Sequence, residues 1–428
     1  MLEEPKLGSV SESLISDRPA GYTWLVVGLL FPVALLNYLD RMMLATMRAS
    51  IRADIPTIAN DRDFALLMAL FMWTYAIVSP MGGFLGDRCN RRYVIIGSLF
   101  IWSAMTFLTG WAETFRQMAW TRAVMGISEA FYMPTALALI AEYHPGRTRS
   151  RATAVHVSGV YAGQMLGGLG GYIADTSSWR NAFYWFGAAG LIYAVVLLLF
   201  LKDNRGQSVG TPGEPDRQTS RAFPALLGSS GFLLLVLYFT LPAVSGWAVK
   251  NWLPTFLATA FNLKQGPAGM SATGYVTMAC VIGALLGGAF ADRAMLSTRR
   301  GRIYVSAAGT FLCVPALLIL GNAGSMAIAI AGMILFGVGF GAFDANNMPI
   351  LCQLARPEHR GTGYGIMNMV SIGTGALFTV IAGAMRDRNI SLGIAFSASA
   401  LVALVGAVLV LFVKPSAEVN NKGCTRIA

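Results

Sequence analysis

Two pairs of opposite charges stand inside segments that are otherwise apolar. Asp40 and Arg41 fall in the run LLNYLDRMM, and Arg122 and Glu129 fall in TRAVMGISEA, seven residues apart. A charge in hydrocarbon costs several kcal/mol or more unless it is paired or faces a wet cavity, so such groups mark substrate or ion paths by default. Arg presents a planar fork that grips a carboxylate in two places and does not lose its proton, which suits Arg41 or Arg122 to hold an anion. Asp40 and Glu129 can instead change charge. Desolvation favours a neutral acid and a neighbouring Arg favours an ionised one. Moving an Arg from the acid to an arriving anion therefore makes proton release or uptake depend on occupancy. The plainer alternative is that both pairs are buried ion pairs tying helices together.

Such residues have to be held at depth. Arg122 and Glu129 are close to two helical turns apart and share one face, with Gly126 between them leaving room for a ligand or a close helix. The composition is 55% hydrophobic and 12% charged, with a mean hydropathy of +0.58; soluble domains carry about twice that charged fraction. Stretches of roughly 20 apolar residues, enough to cross a bilayer, number twelve: 22–49, 63–86, 93–112, 117–141, 151–174, 181–201, 225–259, 270–291, 303–321, 325–354, 361–385 and 390–413. If the first span ends near Ser50, Asp40 lies about 15 Å from that end at 1.5 Å per residue. Arg122 and Glu129 then lie roughly 8 and 18 Å in from Gln117. These depths bracket Asp40.

Cytoplasmic loops carry the excess of Lys and Arg. With the N-terminus inside, and with Arg48 and Arg151 at span ends counted with their loops, 21 of the 32 basic residues fall on inner segments, 8 on outer ones, and Arg41, Arg122 and Lys250 within spans. No cleavable signal peptide precedes the first span, so both tails are expected in the cytoplasm. The net charge of +11 is explained by this topology and by anionic lipid; it gives no support to nucleic-acid binding. The five cysteines are scattered, without Cys-x-x-Cys or histidines at ligand spacing, so neither a metal nor a disulfide framework is expected. No cofactor is implied either. His144 and His359 are placed in inner loops and His156 near the inner end of the fifth span, with a solvated or interfacial role expected for all three.

The polar stretch 202–224, rich in Gly, Pro and charge, divides the chain into halves. GGFLGDR at 82–88 corresponds to GGAFADR at 287–293, and Glu129 five residues before Pro134 corresponds to Asp344 five before Pro349. The spans are thus duplicated, in a pattern that places a midplane cavity between parallel six-span halves. The expected organisation is an N-tail over 1–21, an N-terminal six-helix bundle over 22–201, a linker over 202–224, a C-terminal six-helix bundle over 225–413 and a C-tail over 414–428.

The two Gly-x-x-x-Asp-Arg loops, followed by Arg91-Arg92 and by Arg299-Arg300, together with twelve spans and a central linker, resemble the major facilitator superfamily over essentially the whole chain. That resemblance implies an all-α membrane protein of two pseudo-symmetric six-helix bundles. It also implies a gating role, by alternating access, for the inner-loop residues Asp87, Arg88, Arg91, Arg92, Asp292 and Arg293. NYLDR, TRAVMGISEAFYMPT and HPGRTRSRA are similar to the anion:cation symporters of sugar acids. LGDRCNRRY and GISEAFY are also similar to the Spinster group of lipid and small-molecule transporters. In the first group the matched acids, Asp40 and Glu129, carry protons; the matched arginines are Arg41 and Arg122, and the matched aromatics Tyr38 and Tyr75. Tyr can donate from an apolar wall, and a packing role for both is equally open.

The second half offers Asp344, Asn346 and Asn347 in span ten and Asn368 and Ser371 in span eleven, to read hydroxyls around a cavity or to join helices. Asp344 departs from the uncharged cavity expected of anion symporters, so it is a further titrating group, a cation site or a partner for Lys250. Span seven, with Pro242, Gly246 and Pro254, is expected to break or bend, leaving Trp247, Lys250, Asn251 and Trp252 as outer-gate candidates or an aromatic belt. The Gly163–Gly171 run lacks the Lys-Ser/Thr of a nucleotide loop and suits close helix packing. The chain is expected to be a transporter rather than an enzyme: a proton-coupled symporter of a small organic anion such as a hexuronate, aldonate or sialate. Spinster-like movement of lysolipid or another amphiphile, and Na+ coupling, stay open. A monomer in a bacterial inner membrane is the expected setting.

Overall fold

A peptide group in hydrocarbon has no water to bond to, so a chain this apolar must satisfy its backbone inside each segment. The computed structural model, which describes residues 20–144, 148–202, 224, 226–356 and 359–413 (side chains at 20 and 82–88 excepted), has helices and no strand among those residues. In order they are α1 (Ala20–Thr46), α2 (Arg48–Asp54), α3 (Asp61–Arg88), α4 (Arg91–Thr109), α5 (Phe115–Glu129), α6 (Tyr132–Tyr143), α7 (Arg149–Leu166), α8 (Leu169–Thr176) and α9 (Trp179–Phe200). Then come α10 (Ser230–Ala260), α11 (Gln265–Met295), α12 (Gly301–Gly321), α13 (Met326–Leu354), α14 (Arg360–Asp387) and α15 (Leu392–Leu409). Some of the starts are fixed by side-chain oxygens that accept orphan N–H groups. Thr114 and Gln117 form a reciprocal capping box on α5, and Ser229, Ser325 and Ser391 cap α10, α13 and α15.

Eleven of the twelve expected spans are single stretches long and apolar enough to cross a bilayer. The exception, 151–174, is built from α7 and α8, and its polarity has a plain source in Arg149, Arg151, His156 and Gln164. The linker over 203–223 and the tails over 1–19 and 414–428 lie outside the described residues. The first span ends at Thr46, before a short second helix, rather than near Ser50.

Within the first half α1 packs on α7, and α4 on α9. In the second, α11 and α12 pack on α13, and α10 on α15 and α14. Across the two, α3 runs along α14 while α7 and α8 meet α11. Small residues permit these approaches. A Cβ at Gly163 would strike the carbonyl of Leu35, and one at Gly126 would strike both Thr74 Oγ1 and the carbonyl of Phe71. Gly126 therefore admits a neighbouring helix, not a ligand. The Gly-rich run seats α7 and α8 against α1 and α11, as its composition suggested.

Two expectations change. α10 is one uninterrupted helix through both Pro242 and Pro254, so span seven is not broken; Asn251 Nδ2 donates to Thr379 Oγ1 at 2.9 Å and Trp252 Nε1 to the Thr379 carbonyl at 3.0 Å, clamping α10 to α14. His144 and His156 are buried rather than solvated. His144 is held between Thr148 Oγ1 and the Thr23 carbonyl, at 3.2 and 3.0 Å.

Gly126→Ala should force α3 and α5 apart, at an overpacking cost of about 1–3 kcal/mol, and lower the unfolding temperature in detergent. Gly97→Ala, where nothing lies within 4 Å of the added Cβ, should leave that temperature unchanged.

Candidate functional site

Asp40 and Arg41 are adjacent on α1, and adjacent helical residues point in different directions. Arg41 turns to α5, where its Nε donates to Glu129 Oε2 at 2.6 Å, both side chains almost wholly buried. Asp40 turns to α4, where its Oδ2 accepts from Thr106 Oγ1 at 3.1 Å. Three rings enclose the Arg41 guanidinium, with centroids at 4.7 Å for Tyr38, 5.2 Å for Phe71 and 4.5 Å for Tyr75. Both tyrosines thus serve Arg41 with their faces, a contact worth more when desolvated.

Arg122 is 2% exposed. Its Nη1 reaches Met125 Sδ at 3.3 Å, its plane lies over Phe71 at 4.9 Å, and its Nε has no partner. Among the described residues no carboxylate forms an ion pair with it. The Phe71 ring is shared by the two guanidiniums. Around it, Asn37 lies within hydrogen-bonding reach of Glu129, and Asp40 Oδ1 and Arg41 Nη2 are buried without a partner. This is unusual, since buried polar groups are normally bonded and an orphan costs about 1–3 kcal/mol. Two acids and two cations therefore share a dry pocket holding a single ion pair and several unused donors and acceptors. Asn37, Thr106 and Phe71 were not singled out in the sequence; for Asn37 the signal was there, one turn before Asp40 and Arg41 in the same motif.

Beside this pocket lies a cavity with an empty volume of about 590 Å³, its mouth included, between α1 and α7 on one side and α10, α11 and α13 on the other. Met42, Tyr161 and Gln164 line it from the first half; Lys250, Thr273, Thr277, Cys280, Phe340 and Asp344 are among the lining residues from the second. Arg41, Arg122 and Glu129 are not lining residues. Asn346 and Asn347 are buried, Asn346 Nδ2 donating to the Ala342 carbonyl at 2.9 Å and Asn347 Nδ2 to Asp344 Oδ1 at 3.4 Å. Asn368 is half-buried and Ser371 buried on α14.

The inner-loop residues bond within their own half. Arg91 Nη1 donates to Glu142 Oε2 at 2.9 Å and to the Ala138 carbonyl at 3.2 Å. Arg92 bonds the Leu198 carbonyl, Asp292 pairs with Arg302 at 3.3 Å, and Arg293 is exposed. The side chains of Asp87 and Arg88 lie outside the described residues.

Ties between the halves cluster instead at the end opposite these loops. Asp61, 4% exposed, pairs with Arg48 and Arg52 of its own half and with Arg386 of α14, the last at 2.6 Å. Asp387 Oδ1 and Oδ2 accept from the N–H groups of Asp61 and Arg62 at 2.7 and 2.9 Å, capping α3 from the opposite half. Asp175 Oδ2 accepts from Gly266 N at 2.6 Å. Sequence reading missed this cluster because its members are far apart in the chain and sit in loops expected to be solvated.

Asp61→Ala should leave three arginines facing one another and loosen this end. A cysteine placed at Ser50 should then react faster with a membrane-impermeant maleimide added outside. An unchanged rate would mean that the cluster does not hold the halves together.

The model of the Major Facilitator Superfamily matches residues 30–379. A probable sulfoacetate transporter of Cupriavidus necator is 26% identical over 93% of this chain and 95% of that protein. The protein spinster of Drosophila melanogaster is 30% identical over 57% of this chain and 40% of its own length. A crystal structure of a bacterial homologue of the human lysosomal transporter Spinster, inward-facing and unoccupied, superposes with a TM-score of 0.72 at 19% identity, over 92% of this chain and 96% of that one.

Proposed function

Because the chain belongs to the Major Facilitator Superfamily, and is thus a membrane transporter rather than an enzyme, we propose that it is a proton-coupled symporter of a small organic anion, with a sugar acid or a related short acid as cargo. The observation that carries this reading is the lone Arg41–Glu129 ion pair, with Arg122 beside it unpaired and Asp40 only partly bonded. With all four groups ionised the pocket is formally neutral. An anion drawn to Arg122 or Arg41 leaves it with one excess negative charge, and a proton taken up by Glu129 or Asp40 restores neutrality. Desolvation makes that balance strict, since charge imbalance in low dielectric is costly. Substrate and proton then cross together, and neither moves alone at useful rates.

Alternating access follows from the two sets of contacts, with the Asp61 cluster holding one end while the inner loops carrying Asp87, Arg88, Arg91, Arg92, Asp292 and Arg293 close the other. The six-span halves over 22–201 and 225–413 would be the bodies that rock. A bacterial inner membrane with both tails in the cytoplasm fits the basic inner loops. Likeness to a probable sulfoacetate transporter along nearly the full chain supports a short-acid cargo. Likeness to spinster supports a second reading, movement of a lysolipid or another amphiphile.

Proteoliposomes loaded under a pH gradient, a Na+ gradient or neither separate these readings. Uphill uptake of labelled gluconate or glucuronate driven by the pH gradient is expected. Glu129→Gln and Asp40→Asn should each lose gradient-driven accumulation, by roughly 10²-fold, while keeping exchange of the same acid. Normal accumulation by both variants would reject the proton-carrier roles, drive by the Na+ gradient alone would transfer the coupling to Na+, and movement of lysolipid alone would establish the second reading.

A further inference from the structure

Lys250 is the one basic residue within the second half's predicted spans, and it opens onto the cavity rather than onto a partner. Its Nζ lies 5.3 Å from the Trp247 ring centroid and 5.8 Å from that of Phe340, and it forms no ion pair among the described residues. Both rings are seated by glycines. A Cβ at Gly375 would collide with Trp247, and one at Gly246 with Phe340, so each ring packs closely against a glycine, and the ammonium lies near both. Asp344 lines the same cavity from α13 and is exposed there, its described bond being the 3.4 Å contact from Asn347. An acid and an amine kept apart across a cavity in mid-membrane form a costly arrangement unless a ligand or water separates them.

We propose that Lys250 and Asp344 form a second charge site, distinct from the Arg41–Glu129 pocket, in which Lys250 meets the cargo's acid group before it reaches Arg122 or Arg41 and Asp344 selects hydroxylated monoacids against diacids. This rests on the small-acid reading above and makes it more specific. Arg41 is committed to Glu129 under three rings and Arg122 is 2% exposed beneath Phe71, so in this conformation Lys250 is the cation that a molecule in the cavity meets. An ammonium is a compact charge with three donors that can turn toward a carboxylate or sulfonate. An ionised Asp344 only accepts, so it rewards a cargo hydroxyl and repels a second acid group. Thr273 and Thr277 add hydroxyls on α11, and Tyr161 and Gln164 close the opposite wall.

The test uses gluconate and glucarate, which share a hydroxylated chain and differ by one acid group, in counterflow with the full-length protein. Lys250→Gln should raise KM for gluconate roughly tenfold or more, Lys250→Arg should recover most of it, and Asp344→Asn should erase the preference for gluconate over glucarate. An unchanged KM in Lys250→Gln, or an unchanged preference in Asp344→Asn, would overturn the proposal while leaving acid symport intact. If the wild type carries no acid, the functional reading fails, and a cargo-free measurement still decides the charge site. With Cys89, Cys352 and Cys424 replaced by Ser, Cys280 in the cavity wall is treated with a sulfonatoethyl and a trimethylammonioethyl methanethiosulfonate. The ratio of anionic to cationic reaction rates should fall about fivefold or more in Lys250→Gln and rise in Asp344→Asn. Ratios that do not move, or a Cys280 that neither reagent reaches, would sink it.

Discussion

The bond from Arg41 Nε to Glu129 Oε2, 2.6 Å long and almost wholly dry, is the interaction on which this molecule turns. Two charges taken out of water each forfeit several kcal/mol of hydration, and their mutual attraction repays that only with good geometry and further bonds. Here the geometry is good and the further bonds are incomplete, Arg41 Nη2 having no partner, which leaves the pair able to exchange partners.

The surroundings are consistent with such an exchange. Tyr38, Phe71 and Tyr75 wrap the guanidinium in aromatic faces, which tolerate a cation without locking it by a directed bond. Gly126 brings α3 against α5, so that Phe71 reaches both arginines. The charge cluster at Asp61 ties α3 to α14, and the same two helices carry Phe71 and Tyr75 on one side and Thr379, the partner of Asn251 and Trp252, on the other. A change in how the halves meet is thereby connected through rigid helices to the rings around Arg41 and to the helix that holds Lys250.

Much of the fold was legible because a bilayer allows few solutions. Runs of apolar residues gave eleven spans that the structure realises as single stretches, and small residues at regular spacing located close packing along α7 and α8. The exception shows why pattern has limits. The fifth span is polar because it faces the other half and the cavity, through Gln164 and Tyr161, and a hydropathy rule written for lipid-facing helices undervalues it. Span seven differs in the opposite sense: its prolines suggested a break or a bend, and there is no break, α10 staying helical and clamped to α14 by Asn251 and Trp252, bonds that no local pattern announces.

The sequence by itself determined that ionisable groups stand inside the membrane, on which spans and at what depth, since those are counts along one dimension. Which acid meets which base was decided only by tertiary structure. Neither Asp40 with Arg41 nor Arg122 with Glu129 forms the pair; the bond joins residues 88 apart, because neighbours on one helix point to different helices, and Arg122 is buried without an ion pair among the described residues. The same holds for Asp61, whose three arginines come from both halves, and for Lys250, whose side chain could have met lipid headgroups or a cavity. Direction around a helix axis and the approach of distant helices are three-dimensional facts, and the chemistry of this protein lies in them.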